Sequence, residues 1–237
     1  SARIRLTGER RSVEASLLSW AGQRGQFSGR NWGQVVRTGG RGQVEFPLGP
    51  GYIYAGAGYS VFEGENVASN TRIEGGAGFS YPVIQGPSGE LNVGTDLVYF
   101  SYDRNQSQFT YGSGGYFSPQ SYTAFNVPVD YRGRSGNFRY RLGATGGYAV
   151  FRQEATPYFA NDPALQRQLV ARAAANTGAT PILTAFPSQN QQNFVGGLRA
   201  DLDYAITPRI NLGAGFRYDK AANWDETRVF LRLQSRF

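Results

Sequence analysis

The stretch that decides the fold class is 227-TRVFLRLQSRF-237, because its alternation is nearly strict. One face carries Thr227, Val229, Leu231, Leu233 and Phe237, and the other carries Arg228, Arg232, Gln234 and Arg236. Side chains two residues apart lie on the same face of a strand. The stretch is therefore predicted to be a β-strand with one apolar and one cationic face.

The same two-residue alternation recurs along the rest of the chain. It is clear in four further segments, 91-LNVGTDLVYFSY-102, 138-FRYRLGA-144, 198-LRADLDYAI-206 and 210-INLGAGFRY-218, and weaker in five more, 2-ARIRLT-7, 34-QVVRTGGRGQVEF-46, 52-YIYAGAGYSVF-62, 71-TRIEGGAGFSY-81 and 122-YTAFNVPVDY-131. Each segment repeats one apolar face opposite a polar one. We predict about ten strands and an all-β fold.

Composition narrows the possible functions. The 237 residues include 32 Gly, 15 Tyr and 16 Phe but no Cys, His or Met, which excludes disulfides, thiolate or imidazole chemistry and the common zinc sites. No cofactor or metal is expected. Lys220 is the single lysine among 24 basic residues, and the arginines are dispersed at strand spacing, so the net charge of +7 does not indicate a nucleic-acid partner. The glycine-rich and aromatic-rich composition favours strands over helices. No run of 18 apolar residues occurs, so no transmembrane helix is predicted, but transmembrane strands alternate and would not show such a run.

Two features favour a transmembrane antiparallel β-barrel of the outer-membrane type over a soluble sandwich. Aromatic residues lie near strand ends, as at Tyr81, Tyr131, Tyr204, Tyr218 and Phe237, which is typical of membrane-interface girdles. The connections are predicted to alternate between short (47–51, 84–90, 132–136, 206–209) and long (10–32, 63–70, 103–119, 152–192, 219–224). Outer-membrane barrels have short periplasmic turns and long external loops, so the long connections are expected outside the cell. The apolar faces would contact outer-membrane lipid.

The longest connection, 152–192, contains a helix signal. Asp162 is a good N-cap, Pro163 suits the first helical position, and helix formers continue through Asn176. We expect a helix of about three turns here. It would either cap the pore or lie on its rim.

With the apolar face toward lipid, the opposite face would line a polar, cationic lumen. The charged residues expected there are Arg37, Arg41, Asp96, Arg139, Arg141, Arg199, Asp201, Asp203, Arg217, Arg228 and Arg232. They would either brace the wall as mutual ion pairs or contact a passing solute. Both interpretations remain open at this stage.

The carboxylates do not indicate an enzyme. Asp201 and Asp203 lie about 7 Å apart by strand rise, a spacing that invites comparison with glycosidase carboxylate pairs. Arg199 and Arg217 are plausible neighbours, however, and would keep both groups ionised, which is wrong for a general acid. We predict no catalytic residues.

Five stretches carry a resemblance to a known family, namely 10-RRSVEASLLSWAG-22, 32-WGQVVRTGG-40, 109-FTYGSGGYFSPQSY-122, 127-VPVDYRGRSGNFRY-140 and 157-PYFANDPALQ-166. They resemble the C-terminal domain of cellulose synthase operon protein C, the outer-membrane exporter of bacterial cellulose. The resemblance covers nearly the whole chain, and we predict that residues 1–237 form one outer-membrane β-barrel domain. It implies a barrel of about sixteen strands, of which this chain would supply the last ten. It also implies an upstream periplasmic helical-repeat region that reaches toward the inner-membrane cellulose synthase complex.

The leading functional hypothesis is a conduit that passes a linear β-1,4-glucan from periplasm to cell exterior. Aromatic rings would stack weakly on glucose units, since a conduit must also release its cargo. The candidate contacts are Tyr111, Tyr116, Phe117 and Tyr122 at the outer mouth, and Tyr52, Tyr54, Phe100, Tyr102 and Phe230 on the inner faces. The alternatives are export of another exopolysaccharide, such as poly-N-acetylglucosamine, or a structural or adhesive barrel that opens no pore.

Overall fold

The computed structural model of the chain describes residues 2–13, 23–221 and 224–235, with the side chain of Trp224 excepted. The strands are β1 (Arg3–Ser12), β2 (Arg24–Phe27), β3 (Arg30–Leu48), β4 (Gly51–Glu65), β5 (Asn70–Gly86), β6 (Gly89–Tyr102), β7 (Ser121–Ser135), β8 (Phe138–Gln153), β9 (Thr156–Pro157), β10 (Ala185–Phe186), β11 (Gln189–Ala205), β12 (Ile210–Ala221) and β13 (Trp224–Ser235); the helix is α1 (Pro163–Ala174). The predictions for Arg236 and Phe237 lie outside the described residues.

Ten long strands form one antiparallel sheet in chain order, β1-β3-β4-β5-β6-β7-β8-β11-β12-β13, and the short β2 folds back on β3. These ten match the ten segments expected from alternation, so the all-β fold class is confirmed. Within the described residues β1 and β13 are the two edges of the sheet and do not pair with each other. Each therefore leaves a row of backbone groups free to bind a further strand.

The two faces of the sheet differ as the alternation predicts. The outer face carries exposed apolar side chains on every strand, with Leu97 50% and Phe194 80% exposed. Others on this face are Ile4, Leu6, Ile53, Ile73, Phe125, Leu142, Leu212, Leu231 and Leu233. Such a continuous apolar surface is typical of the lipid-facing wall of a membrane barrel.

The sheet curves around its polar face. The larger of two hollows encloses about 1700 Å³ between its protein atoms, including the solvent space at its mouth, and is lined from Tyr52 and Tyr54 on β4 round to Arg228 on β13. The second, of about 1350 Å³ by the same measure, brings Arg3 on β1 close to Arg132 on β7. Residues from strands far apart in the sheet order thus face one another, as in the wall of a barrel.

The short connections all lie at one end of the sheet, which we call the turn end. There β3 and β4 meet across residues 49–50, β5 and β6 across 87–88, β7 and β8 across 136–137, and β11 and β12 across 206–209. The other end, which we call the cap end, carries residues 103–120 and 154–188. Two of the connections predicted to be long, 63–70 and 219–224, are short. Pairing of β4 with β5 and of β12 with β13 continues and leaves only 66–69 and 222–223 between the strands.

Helix α1 confirms the signal in the 152–192 segment, although strand pairing narrows the connection to 154–188. The Asp162 carboxylate accepts hydrogen bonds from the backbone N–H groups of Ala164 and Leu165, and Pro163 opens the helix. None of the helix residues is buried. In the described part of the chain, no helix combines the length and the apolar character needed to cross a membrane.

Candidate functional site

Strand register brings the predicted lumen residues onto one face of the sheet. Arg199 pairs with Arg217, which pairs with Arg228, and Asp96 pairs with Asn126 on the next strand. The same face carries Arg37, Arg41, Arg139, Arg141, Asp201, Asp203 and Arg232. This set lies on the concave side of the sheet, opposite the apolar wall.

Many of these charges are ion-paired across strands. Arg141 Nε lies 2.7 Å from an Asp130 carboxylate oxygen, and Arg232 lies 2.7 Å from Asp203. Asp201 receives Arg199 at 2.7 Å and Arg217 at 3.8 Å. The Arg232–Asp203 pair reaches across β12, and the other pairs join neighbouring strands or successive inward positions on one strand. The contacts therefore brace the wall, the first of the two interpretations open from the sequence.

A second ladder of charges braces the other half of the sheet. Arg37 lies 3.1 Å from Glu9 and 3.7 Å from Glu74. Arg72 lies 2.6 Å from the same Glu74. Glu74 therefore holds two guanidinium groups and links β3 to β5.

A few inward charges remain free to meet a solute. Among the described residues, Arg41, Arg139 and Asp96 have no ion-pair partner within 4.0 Å. Asp96 instead lies beside Tyr54, since both side chains pass over Gly78: a Cβ there would meet the Tyr54 hydroxyl at 2.7 Å and an Asp96 oxygen at 2.9 Å. Glycine at 78 lets both polar groups lie against the wall of the larger hollow.

The two carboxylates that lie two residues apart on β11 are both engaged by arginine. Asp201 lies 2.7 Å from Arg199 and Asp203 lies 2.7 Å from Arg232, so each carboxylate has its own guanidinium partner. In the part of the chain described by the structure, no cluster of three or more acidic, His or Cys ligands could hold a metal ion.

A row of aromatic side chains crosses the polar face at the cap-end edge of the larger hollow. Phe100, Tyr122 and Phe151 are consecutive cross-strand neighbours on β6, β7 and β8. The rings of Phe100 and Tyr122 are stacked, with centroids 4.4 Å apart and planes 13° apart. Phe117 meets the row edge-on, 5.0 Å from Phe151 and 6.2 Å from Tyr122. We call these four residues the aromatic band.

Residues 103–120 fold inward over the polar face at the cap end, and we call this segment the cap. Its Tyr116 stacks 5.0 Å from Phe62 and packs 5.8 Å from Tyr102. With Val35 and Val67 these rings form a buried core. The cap is thus anchored from within the polar face.

Buried hydrogen bonds hold the cap in place. The Asn70 amide donates to the Tyr116 hydroxyl at 3.1 Å and to the Arg104 carbonyl at 2.8 Å. The Gln106 amide donates to the carbonyl of Ala68, and its backbone N–H donates to the Ser118 hydroxyl at 2.7 Å. Burial raises the pKa of the Tyr116 hydroxyl, against the opposing effect of Asn70, so Tyr116 stays neutral.

The structure corrects the role of three predicted contact residues. Tyr116 is 4% and Tyr111 6% exposed, and Tyr102 is buried in the same region. Tyr111 packs against Phe27 and Trp32, 5.5 and 6.0 Å away. Because protein covers these rings, they stabilise the cap and present no open face to a solute. Phe117, by contrast, is 43% exposed.

The remaining predicted aromatics lie apart from the band. Tyr52 and Tyr54 are neighbours on β4 with ring centroids 6.1 Å apart, and both line the larger hollow. Phe230 belongs to the edge strand β13 and lies over Gly215 of β12, and the Arg217 guanidinium lies 5.7 Å from the Phe230 ring. The structure thus brings Phe100, Phe117 and Tyr122 together. It leaves the Tyr52–Tyr54 pair and Phe230 elsewhere on the sheet.

Sequence reasoning missed the polar residues that organise the cap. Asn70, Gln106 and Ser118 are each at most 1% exposed and hydrogen-bonded to cap residues. It also missed Phe151, which follows the recognised segment on β8. A continued alternation count from Ala144 would have put Phe151 on the polar face, whereas nothing local marks Asn70.

Curated proteins similar to this chain include two of the same description. "Cellulose synthase operon protein C" of Komagataeibacter xylinus is 39% identical over 224 residues, covering 94% of this chain and 17% of that protein. The protein of the same description from Xanthomonas axonopodis pv. citri is 32% identical over 232 residues, covering 94% of this chain and 15% of that protein. The chain spans less than a fifth of the length of both relatives.

A solved structure, "Copper transporter OprC", matches 97% of this chain and 38% of its own at 14% identity, with a TM-score of 0.41. The family model described as "Cellulose synthase operon protein C C-terminus" matches residues 1–237. With the full-length model match and relatives above 30% identity, the chain belongs to the family of cellulose synthase operon protein C, as part of its C-terminal region.

Proposed function

We propose that this chain forms part of the wall of a bacterial outer-membrane pore that exports a linear β-1,4-glucan, cellulose, from periplasm to cell exterior. The observation that carries the proposal is the division of one curved sheet into an apolar outer face and a polar, charged inner face. Membership of the cellulose synthase operon protein C family supports cellulose as the cargo.

The inner face suits a neutral polymer rich in hydroxyl groups. Arg141 and Arg199, which are held by Asp130 and Asp201, line the hollow and carry further N–H groups beside those in the ion pairs. Those groups can exchange hydrogen bonds with sugar hydroxyls without binding any one of them tightly. Weak, repeated contact of this kind allows a polymer to advance.

In this proposal the turn end faces the periplasm and the cap end faces the exterior, following the usual asymmetry of outer-membrane barrels. The segment 154–188 with α1 then lies on the outer rim. The wall is completed by further strands that pair with β1 and β13. The inner-membrane synthase complex and the periplasmic helical repeats are the partners that the family implies.

The test is conductance of the full-length protein in planar lipid bilayers. We expect open channels whose current is reduced by cello-oligosaccharides and not by chito-oligosaccharides of the same length. Block by chito-oligosaccharides instead would assign the pore to an acetylated glucosamine polymer. A full-length protein that inserts but conducts no current would overturn export and favour a structural barrel.

A further inference from the structure

We propose that the open ring face of Tyr122, with Phe117 beside it, forms a stacking subsite for a single pyranose ring at the boundary between the cap and the larger hollow. The inference rests on the proposed export function and adds to it a place where the polymer is held. The ligand class is a β-linked glucan segment with an apolar C–H face.

The first argument is the column of stacked groups that ends in Tyr122. The Arg72 guanidinium lies 4.4 Å from the centroid of Phe100, and Tyr122 stacks on that same ring at 4.4 Å. Arg72 is itself held by Glu74 at 2.6 Å. Phe100 therefore contacts both groups, and of the two only Tyr122 lines the larger hollow.

The second argument is that the cap fixes Phe117 beside this ring. Phe117 lies between Tyr116, whose ring is buried, and Ser118, whose hydroxyl accepts from the Gln106 N–H. Two residues later, the Pro119 carbonyl accepts from the Tyr102 N–H at 2.9 Å. A loop clamped on both sides holds Phe117 edge-on to Phe100, Tyr122 and Phe151, although the ring remains 43% exposed. Rigid placement lowers the entropic cost of binding.

The third argument is the chemistry next to the stacking face. Asn126 and Asp96 are cross-strand partners on the same face as Tyr122, four residues along β7, and both line the hollow. Ala124 and Ala149, both buried, lie between them and the aromatic band. An aromatic platform followed by amide and carboxylate groups matches the apolar faces and hydroxyl rim of successive sugar units.

The experiment measures block of the full-length channel by cellohexaose for the wild type and for Tyr122→Ala, Phe117→Ala and Tyr122→Phe. A ring contact of this kind is worth about 0.5–1.5 kcal/mol. We therefore expect each alanine variant to raise the half-blocking concentration by about twofold to tenfold. Tyr122→Phe should remain close to the wild type, because it keeps the stacking face and loses only the hydroxyl.

The matched control is Tyr99→Ala, which removes the same side chain from the neighbouring strand on the apolar side of the sheet. It should leave cellohexaose block unchanged. Channels blocked equally in wild type, Tyr122→Ala and Phe117→Ala would overturn the subsite while leaving export intact. A wild type that cellohexaose does not block would instead count against the proposed function itself. If Tyr122→Ala fails to insert, the more exposed Phe117→Ala still decides between these outcomes.

Discussion

At the scale of single residues, Asn70 holds the cap most directly. Its carboxamide oxygen accepts from the backbone N–H groups of Arg104 and Thr71, while its NH₂ group donates to the Arg104 carbonyl and the Tyr116 hydroxyl. All four hydrogen-bonding capacities of a buried amide are thus used. Because Asn70 is hydrogen-bonded to both the N–H and the carbonyl of Arg104, it fixes where the chain leaves β6 and enters the cap.

Replacing Asn70 by Ala should loosen the cap without unfolding the sheet. The change removes the partly buried hydrogen bonds to the N–H and carbonyl of Arg104, and each group left unsatisfied costs about 1–3 kcal/mol. A loss of about 2 kcal/mol in the free energy of local opening raises amide exchange in residues 104–118 about thirtyfold. Hydrogen–deuterium exchange on the full-length protein in detergent measures it.

Tyr116→Phe is the matched control for that variant, because it removes one hydrogen bond and keeps the ring stacked on Phe62. It should raise exchange by a smaller factor. Equal exchange in the wild type and in Asn70→Ala would show that the aromatic core alone holds the cap.

At the scale of elements, the cap is a loop built like a small core. It contacts β3, β4 and β5 through Val35, Phe62 and Asn70, and it meets the 154–188 segment where the Thr110 hydroxyl donates to the Tyr158 carbonyl. The hairpin that contains β2 adds Phe27 and Trp32 against Tyr111. Three connections at the cap end are therefore joined into one layer over the polar face.

Two glycines separate the effect of backbone conformation from that of close packing. Gly112 has φ +95° and a Cβ there would lie 2.6 Å from the Asn161 nitrogen, whereas Gly49 has φ +58° with open space around it. Gly49→Ala should cost about 1 kcal/mol from the backbone alone. Gly112→Ala adds a clash with Asn161 and should cost more. Exchange rates in residues 109–116 should rise for Gly112→Ala, while Gly49→Ala leaves this segment unchanged.

At the scale of the whole molecule, the ion pairs neutralise most of the charge on the inner face but leave a net positive charge from arginine. Asp201 compensates Arg199 and Arg217 together, and Asp130 compensates Arg141 and Arg132 together. Each carboxylate thus serves two cations, which leaves positive potential over the hollow. That potential acts on small ions even where the wall is braced.

Asp201→Asn should therefore make the full-length channel more selective for anions, since it leaves two guanidinium groups without their carboxylate. Arg139→Gln should shift selectivity in the opposite direction. Reversal potentials in a potassium chloride gradient measure both shifts, which should shrink at high ionic strength because charges are screened.

Asp225→Asn is the matched control, because Asp225 pairs with Lys220 in the register of the opposite face. It removes the same charge and should leave the reversal potential unchanged. Identical reversal potentials for the wild type, Asp201→Asn and Arg139→Gln would show that this part of the wall does not set ion selectivity.

The amino-acid sequence by itself determined the ten strands, their apolar and charged faces and the helix that begins after Asp162. These features follow from short-range physics. The two-residue period of a strand assigns every side chain to a face, and an N-cap residue followed by proline starts a helix. The face of Arg199 or Asp201 could therefore be predicted from its neighbours alone.

The tertiary structure decided which aromatic rings stay exposed, because Tyr116 is covered by Phe62 and Asn70, more than forty residues away. It also set the stagger that aligns Phe100, Tyr122 and Phe151 on three strands. A glycine-rich loop has no period of its own, so long-range contacts alone determine its path and leave Phe117 exposed beside Tyr122.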